Sequence, residues 1–289
     1  ANNFLPTTGK LLAWETPTLE GLRYDSGIET GSEISIYYDP MISKIIAHGK
    51  NREEAHRKME YALRHLVCLG TTTNHAFLLN TIQHPAFIKG DYDTHFIANH
   101  LKPNESEQYT SHQLNLALTA ATLAKWNETE LERNLLKEVP SGWRNNFFAP
   151  QKFVFEYKGE KQTVTYRLSE NVFTINVNGE ATEVKLLSFT NGKLSALIQK
   201  QLHNFYVINN GSDYYVQHEQ FPQIKLLLQS KLPAKEKEAV KGGYTSPMPA
   251  SVIKVLVNVG DRVKNGQSLL VLSSMKMENT IASNDDGEV

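Results

Sequence analysis

The sequence predicts a multidomain α+β chain. A mixed α/β unit comes first, then a helix leading into an antiparallel β-barrel, then a small β-module. Three observations carry this reading. Over the first hundred or so residues, helix-spaced apolar positions alternate with strand-like runs. Between 152 and 229 there are about eight short runs rich in Val, Ile, Tyr, Phe and Thr, separated by turn signals at roughly 8–12-residue spacing. A charged stretch containing Gly242 and Gly243 then separates off a last segment with its own strands and turns.

In chain order, residues 34–39 (ISIYYD) and 43–49 (SKIIAHG) read as strands joined at Asp39-Pro40. Asn51 is placed to cap a helix, with Glu54 three residues on, an Asx variant of the capping box. Ala55, Met59, Ala62, Leu63 and Leu66 follow helical spacing, and Gly70 is the expected stop. Cys68 thus falls in an apolar helical stretch. A second helix begins near Thr73 or Asn74 and ends before Pro85, with Phe77, Leu78 and Ile82 packing on the first. Residues 102–112 are polar, contain Pro103, and read as a linker. Residues 113–126 form an Ala- and Leu-rich helix placed to fill or cover the barrel. Closing the strands into a barrel removes exposed edges. Trp143 and Arg144, in PSGWRNN, stand at the junction and read as a structural anchor. Residues 230–246 have too little apolar content to pack and are expected to be mobile. The expected units are 1–101, 113–229 and 247–289, with linkers at 102–112 and 230–246.

Composition narrows the function. Thirty Lys+Arg against 31 Asp+Glu argues against nucleic acid or an anionic membrane as the main partner. No apolar run approaches the roughly 18 residues that would span a bilayer. A lone cysteine forms no internal disulfide and reads as a small buried hydrophobe. His48, His56, His65 and His75 lack metal-ligand spacing, so no metal site is expected. Asp39 reads as a structural turn residue. The opening ANNFLPTTGK has no signal-peptide core, and both ends read as if cut in mid-domain.

The chemistry concentrates in SSMKMENT, residues 273–280. The turn between two strand-like runs projects Lys276 at a hairpin tip. On position alone that is a solvated charge. Met275 and Met277 change the reading, because apolar side chains at an exposed tip suggest a recognised surface. A deprotonated lysine amine can attack an activated acyl group and carry a cofactor on a long arm.

Residues 246–280, with Pro-Met-Pro at 247–249 and Met-Lys-Met at 275–277, resemble the biotinyl carrier domain of biotin-dependent carboxylases. The resemblance implies biotin on Lys276, with Met275 and Met277 read by a biotin protein ligase. Two positions depart from the family pattern: Ser274 stands where alanine is usual, and Ala250 where glycine is usual. FLPTTGKLL, the stretch from RYDSG to NREEA, and LGTTTNHAFLL resemble the C-terminal lobe of biotin carboxylase, an ATP-grasp enzyme. PSGWRNN and the helix-plus-barrel resemble the subunit-joining domain of acyl-CoA carboxylases. The order matches the α subunit of such carboxylases, with TNHAFLLNTIQHPAF leaning toward the 3-methylcrotonyl-CoA type. By that resemblance the carrier is a flattened barrel, here truncated.

The resemblance implies further parts. ATP, Mg2+ and bicarbonate would serve a portion preceding Ala1, so no catalytic residue is expected in this chain. A carboxyltransferase β subunit, a second α subunit and the ligase would be partners, with Arg23 either at a carboxylase dimer contact or in a surface salt bridge. Bacterial cytoplasm is the expected location, with the mitochondrial matrix as alternative. The competing readings are a propionyl-CoA or multi-acyl-CoA carboxylase, a lipoyl-type carrier, and a scaffold with Lys276 unmodified.

Overall fold

The computed structural model describes residues 5–101, 109–135, 139, 149–230, 246–275 and 277–289. The N-terminal lobe is built from short paired strands and four helices. β1 (Gly9–Lys10) pairs with β4 (Glu33–Ile34), β2 (Ala13–Glu15) with β6 (Val67–Leu69), and β3 (Leu22–Ser26) with β5 (Ser43–Ala47), all antiparallel. Residues 34–39 are therefore not the strand expected. Pairing stops at Ile34, and Ile36 to Met41 form a turn. The partner of β5 is β3, and Asp39-Pro40 lies within the long connection between them.

Helix α1 (Arg52–His65) starts as predicted. The Asn51 side chain accepts from Glu54 N–H at 2.9 Å, but the Glu54 carboxylate reaches back to Lys50 N–H, one residue before the cap. The helix ends at Leu66, not at Gly70. The backbone turns extended there so that Val67, Cys68 and Leu69 can pair with β2. Cys68 is therefore a strand residue, buried in a cluster with Leu11 and Leu66, and burial pushes its thiol up to about 12. Gly70 instead permits a sharp turn. Its φ is +111°, and a Cβ there would lie 2.6 Å from Leu12 N and Lys10 O. Helix α2 (His75–Gln83) packs on α1 through Leu79 and Ile82 against Leu63. Leu78, expected in that contact, is 38% exposed. Two short helices, α3 (Pro85–Lys89) and α4 (Phe96–His100), close the lobe.

Helix α5 (Ser111–Glu132) is longer than predicted at both ends. A complete capping box sets its start: Thr110 accepts from Gln113 N–H while Gln113 Oε1 accepts from Thr110 N–H. The expected linker thus gives way to helix at Ser111. Every residue from Leu116 to Ala124 is buried, so this middle stretch of the helix has no polar face. It sits inside a closed barrel of eight antiparallel strands: β7 (Gln151–Tyr157), β8 (Glu160–Ser169), β9 (Val172–Val177), β10 (Glu180–Thr190), β11 (Lys193–Ile198), β12 (Gln201–Asn210), β13 (Asp213–His218) and β14 (Phe221–Leu228). An eight-stranded barrel has an interior only wide enough for side chains. Ala117, Ala120, Ala121 and Ala124 make room for a backbone there, while Leu116, Leu118 and Leu123 fill the gaps against Phe155, Phe173 and Ile224. Asn178-Gly179 and Asn191-Gly192, all at positive φ, are the tight turns that keep successive strands in register.

The lobe and barrel share a core. Ala13, Val67 and Leu69 pack on Tyr215, and Gln217 Nε2 donates to Leu66 O at 2.9 Å. Lys193 and Tyr206 both reach Glu15. The last unit contains β15 (Ser251–Val255), β16 (Arg262–Val263), β17 (Ser268–Ser274), β18 (Met277–Ala282) and β19 (Gly287–Glu288). β17 lies between β15 and β18, and β16 pairs with β19. Residues 231–245 fall outside the described residues.

Candidate carrier hairpin

The candidate site is the hairpin β17–β18. Leu269 and Leu272 on β17 are buried, which anchors the strand in its module. The last cross-strand pair is Ser274 with Met277, so the chain reverses between them. Ser274 is buried, and a small side chain suits that position. Met275 takes a left-handed conformation, φ +46°, which non-glycine residues rarely adopt. Its two ends of the turn differ sharply: Met275 is 2% exposed and Met277 40%. Met275 N–H donates to Ile36 O in the N-terminal lobe at 2.8 Å. Met248, in the Pro-Met-Pro stretch, is buried as well. Lys276 lies outside the described residues, as do Trp143 and Arg144.

Arg23 is placed on β3, where its Nε contacts Asp25 Oδ1 at 3.1 Å in an exposed ion pair. Such a pair contributes about 0–1 kcal/mol. His56 Nε2 lies 2.6 Å from Ile82 O, and His65 Nδ1 2.9 Å from Tyr61 O, so both have local backbone partners. Among the described residues no group of three or more His, Cys, Asp or Glu could hold a metal ion.

Three features escaped sequence reasoning. His75 is deeply buried. Its Nε2 contacts Leu63 O at 2.6 Å, its Nδ1 has no partner, and burial pulls its pKa down to about 4. A cavity of about 520 Å3 beside it is lined by Trp14, Ile45, Met59, Cys68 and Phe87. In the barrel, His203 Nδ1 and His218 Nε2 are 3.2 Å apart on neighbouring strands. Fifteen residues separate those histidines in sequence, and only the register of β12 against β13 brings them together.

Comparison with known proteins fits this arrangement unit by unit. Residues 1–99 match the family model for the biotin carboxylase C-terminal domain. Residues 114–224 match that for the BT domain of the methylcrotonyl-CoA carboxylase α subunit, and residues 244–289 that for biotin-requiring enzymes. The chain is 33% identical to the mitochondrial methylcrotonoyl-CoA carboxylase α subunit of Dictyostelium discoideum, over 100% of this chain and 44% of that protein. It is 30% identical to the mitochondrial propionyl-CoA carboxylase α chain of Mus musculus, over 99% of this chain and 41% of that protein. A biotin carboxylase from Campylobacter jejuni matches 34% of this chain and 22% of its own at 34% identity, with a TM-score of 0.32.

A carboxylase-type lobe, a barrel filled by a helix and a biotinyl-type hairpin follow one another in the chain, each matched by its own family model. Over its whole length the sequence is similar to the α subunits of the biotin-dependent acyl-CoA carboxylases. It spans under half the length of the curated relatives it matches. In the described residues no helix is long and apolar enough to cross a membrane.

Proposed function

We propose that the intact protein is the biotin-carrying subunit of an acyl-CoA carboxylase, and that Lys276 holds the biotin. One observation carries this: the Met-Lys-Met sequence falls where the chain reverses between paired strands, in a segment matching the biotin-requiring family model. The fit is chemical as well as topological. A primary amine between two strands paired up to Ser274 and Met277 can form an amide while the strands stay intact. Biotin, when attached, supplies a reversible carboxyl carrier between an ATP- and bicarbonate-dependent step, which also needs Mg2+, and an acyl-CoA.

The chain's own residues do three things in this reading. The hairpin presents the amine, with Met275 and Met277 as the flanks a biotin protein ligase reads. Residues 231–245, spanning at most about 50 Å when extended, set how far the module can reach. The lobe and barrel form one platform at the origin of that tether, which raises the local concentration of the carrier. The barrel joins a carboxyltransferase β subunit. Arg23 faces a second α subunit. The units bearing these roles are 1–101, 113–229 and 247–289.

The substrate we assign is 3-methylcrotonyl-CoA, supported by the match of the barrel to the methylcrotonyl-type BT domain. Propionyl-CoA is the second reading, supported by propionyl-CoA carboxylase α chains at 30–32% identity. The relatives' names place them in mitochondria, which supports the matrix over the bacterial cytoplasm. The test is intact mass of the full subunit made with ligase and biotin. One biotin adduct is expected, lost in Lys276→Arg. A lipoyl adduct or a bare lysine sinks the assignment. Labelled bicarbonate incorporation into 3-methylcrotonyl-CoA against propionyl-CoA, with the β subunit present, decides the acyl group.

A further inference from the structure

Two histidines and one tight turn tie three parts of the molecule together. His218, at the end of β13, is buried, and its ring packs on Phe205 and Phe221 with centroids 4.8 and 5.6 Å away. His203, on β12, is half-buried beside it. The turn that follows His218 is Glu219-Gln220, and it is held from three sides. Gln220 N–H donates to His218 Nδ1 at 3.3 Å. Gln113 Nε2, on α5, donates to Gln220 O at 2.8 Å. Arg64 Nη1, on α1, donates to Glu219 O at 3.3 Å. Gln113 also closes the capping box of α5. Lobe, barrel and α5 therefore meet at this turn.

The contacts assign the protons. A backbone N–H can only donate, so His218 Nδ1 is a bare acceptor. The proton of the neutral ring then sits on Nε2 and is donated to His203 Nδ1, 3.2 Å away. His203 Nδ1 is thus an acceptor too, and its own proton is on Nε2.

We propose that this pair is a proton-driven switch: uptake of one proton charges His203, moves the proton of His218 from Nε2 to Nδ1, and so releases the 219–220 turn. In the step, the N–H bond at His218 Nε2 breaks and one forms at His203 Nδ1, while a solvent proton bonds to His218 Nδ1. One proton enters, the charge rests on His203, and His218 stays neutral. His218 Nδ1 then carries a hydrogen that faces the Gln220 N–H. That hydrogen bond is lost, and the carbonyls held by Gln113 and Arg64 move with the turn. The surroundings favour charge on His203 over His218. Burial and His112, in the first turn of α5, lower the affinity of His203 for a proton, while Glu219, in the turn itself, raises it. Burial, then His203 and His112, push His218 down to about 4. The switch therefore operates below the ordinary imidazole value of 6.5 and before His218 itself is charged.

The test uses the full chain with 15N-labelled histidine, followed by NMR from about pH 7.5 to 4.5. At the upper end His218 is expected to carry its proton on Nε2. As His203 becomes charged, His218 should change to the Nδ1–H form without gaining charge. Over the same pH interval the Gln220 amide should lose about two- to tenfold of its protection against exchange, the effect of one ordinary hydrogen bond, and Gln113 should follow. In His203→Gln, which accepts a hydrogen bond but takes no proton, His218 should keep its Nε2–H form and Gln220 its protection throughout. If His218 retains the Nε2–H form after His203 is charged, the switch is overturned. Equal loss of Gln220 protection in His203→Gln overturns it as well. The parent protein alone remains decisive where the variant does not fold, because different midpoints for the His218 change and the Gln220 amide refute the coupling.

Discussion

Acid should loosen the N-terminal lobe through His75. The ring lies under α2 with Nε2 against Leu63 O at 2.6 Å, which fixes the proton on Nε2. Nδ1 is buried with no partner, so a second proton there would create a buried charge with nothing to receive it. Burial lowers the pKa from 6.5 to about 4. The unfolded chain takes up the proton near 6.5 and the folded chain near 4, so the unfolded state binds more protons between those values. Stability therefore falls as pH drops through that window and is unaffected above it. A displacement of this size corresponds to roughly 3 kcal/mol, fully expressed near the lower end. The assay is urea unfolding from pH 7.5 to 4.5, comparing the parent with His75→Gln, whose side chain can still donate to Leu63. The variant should lose less stability on acidification. Imidazole NMR on the folded protein should show no titration of His75 near 6.5. A normal titration there, or identical pH profiles for both proteins, refutes the reasoning.

The barrel and its borders yield further expectations. His218, buried and beside His203 and His112, is also displaced to about 4, so the barrel should lose stability over the same pH range, measured by amide exchange in β13. Leu123→Ala leaves a hole between α5 and the strands and should cost about 2–5 kcal/mol, seen as a lower urea midpoint for the barrel. Gly70→Ala must move backbone, since Leu12 N and Lys10 O are 2.6 Å from the new carbon. It should lower lobe stability by about 3 kcal/mol or more, read by calorimetry. Gln217→Ala removes the donor to Leu66 O and should cost about 1–3 kcal/mol, with faster amide exchange on both sides of the lobe–barrel contact.

Much of this architecture could be read from local chemistry. The Asn51 cap, the helix before Pro85 and the turn-separated Val-, Ile-, Tyr-, Phe- and Thr-rich runs of the barrel each depend on residues a few positions apart, and each was legible. What was not legible depends on partners distant in sequence. Residues 34–39 have the composition of a strand, yet β3 already occupies β5, so they stay a turn. Leu66 to Leu69 continue the helical spacing of α1, but β2 offers a backbone edge, and pairing there outweighs one more helical turn. Leu78 lost its predicted contact because helix α2 turns Leu79 and Ile82 toward α1. For the site, the Met-Lys-Met triplet and its hairpin were visible in eight residues. The hydrogen bond from Met275 N–H to Ile36 O was not, since its two partners lie far apart in the chain.

That contact bears on how the units divide their work. The lobe and barrel are joined by buried apolar side chains, a buried amide donor and an ion pair, contacts that resist separation together. Among the described residues, the hairpin meets the lobe through the backbone hydrogen bond from Met275 N–H to Ile36 O at 2.8 Å. A net hydrogen bond contributes only about 0.5–1.5 kcal/mol. In the carrier role proposed above, that difference would let the module leave a light contact without disturbing the packed lobe and barrel. Fold and site thus make the same demand on the sequence: tight packing up to Leu228, and light contact beyond Ser246.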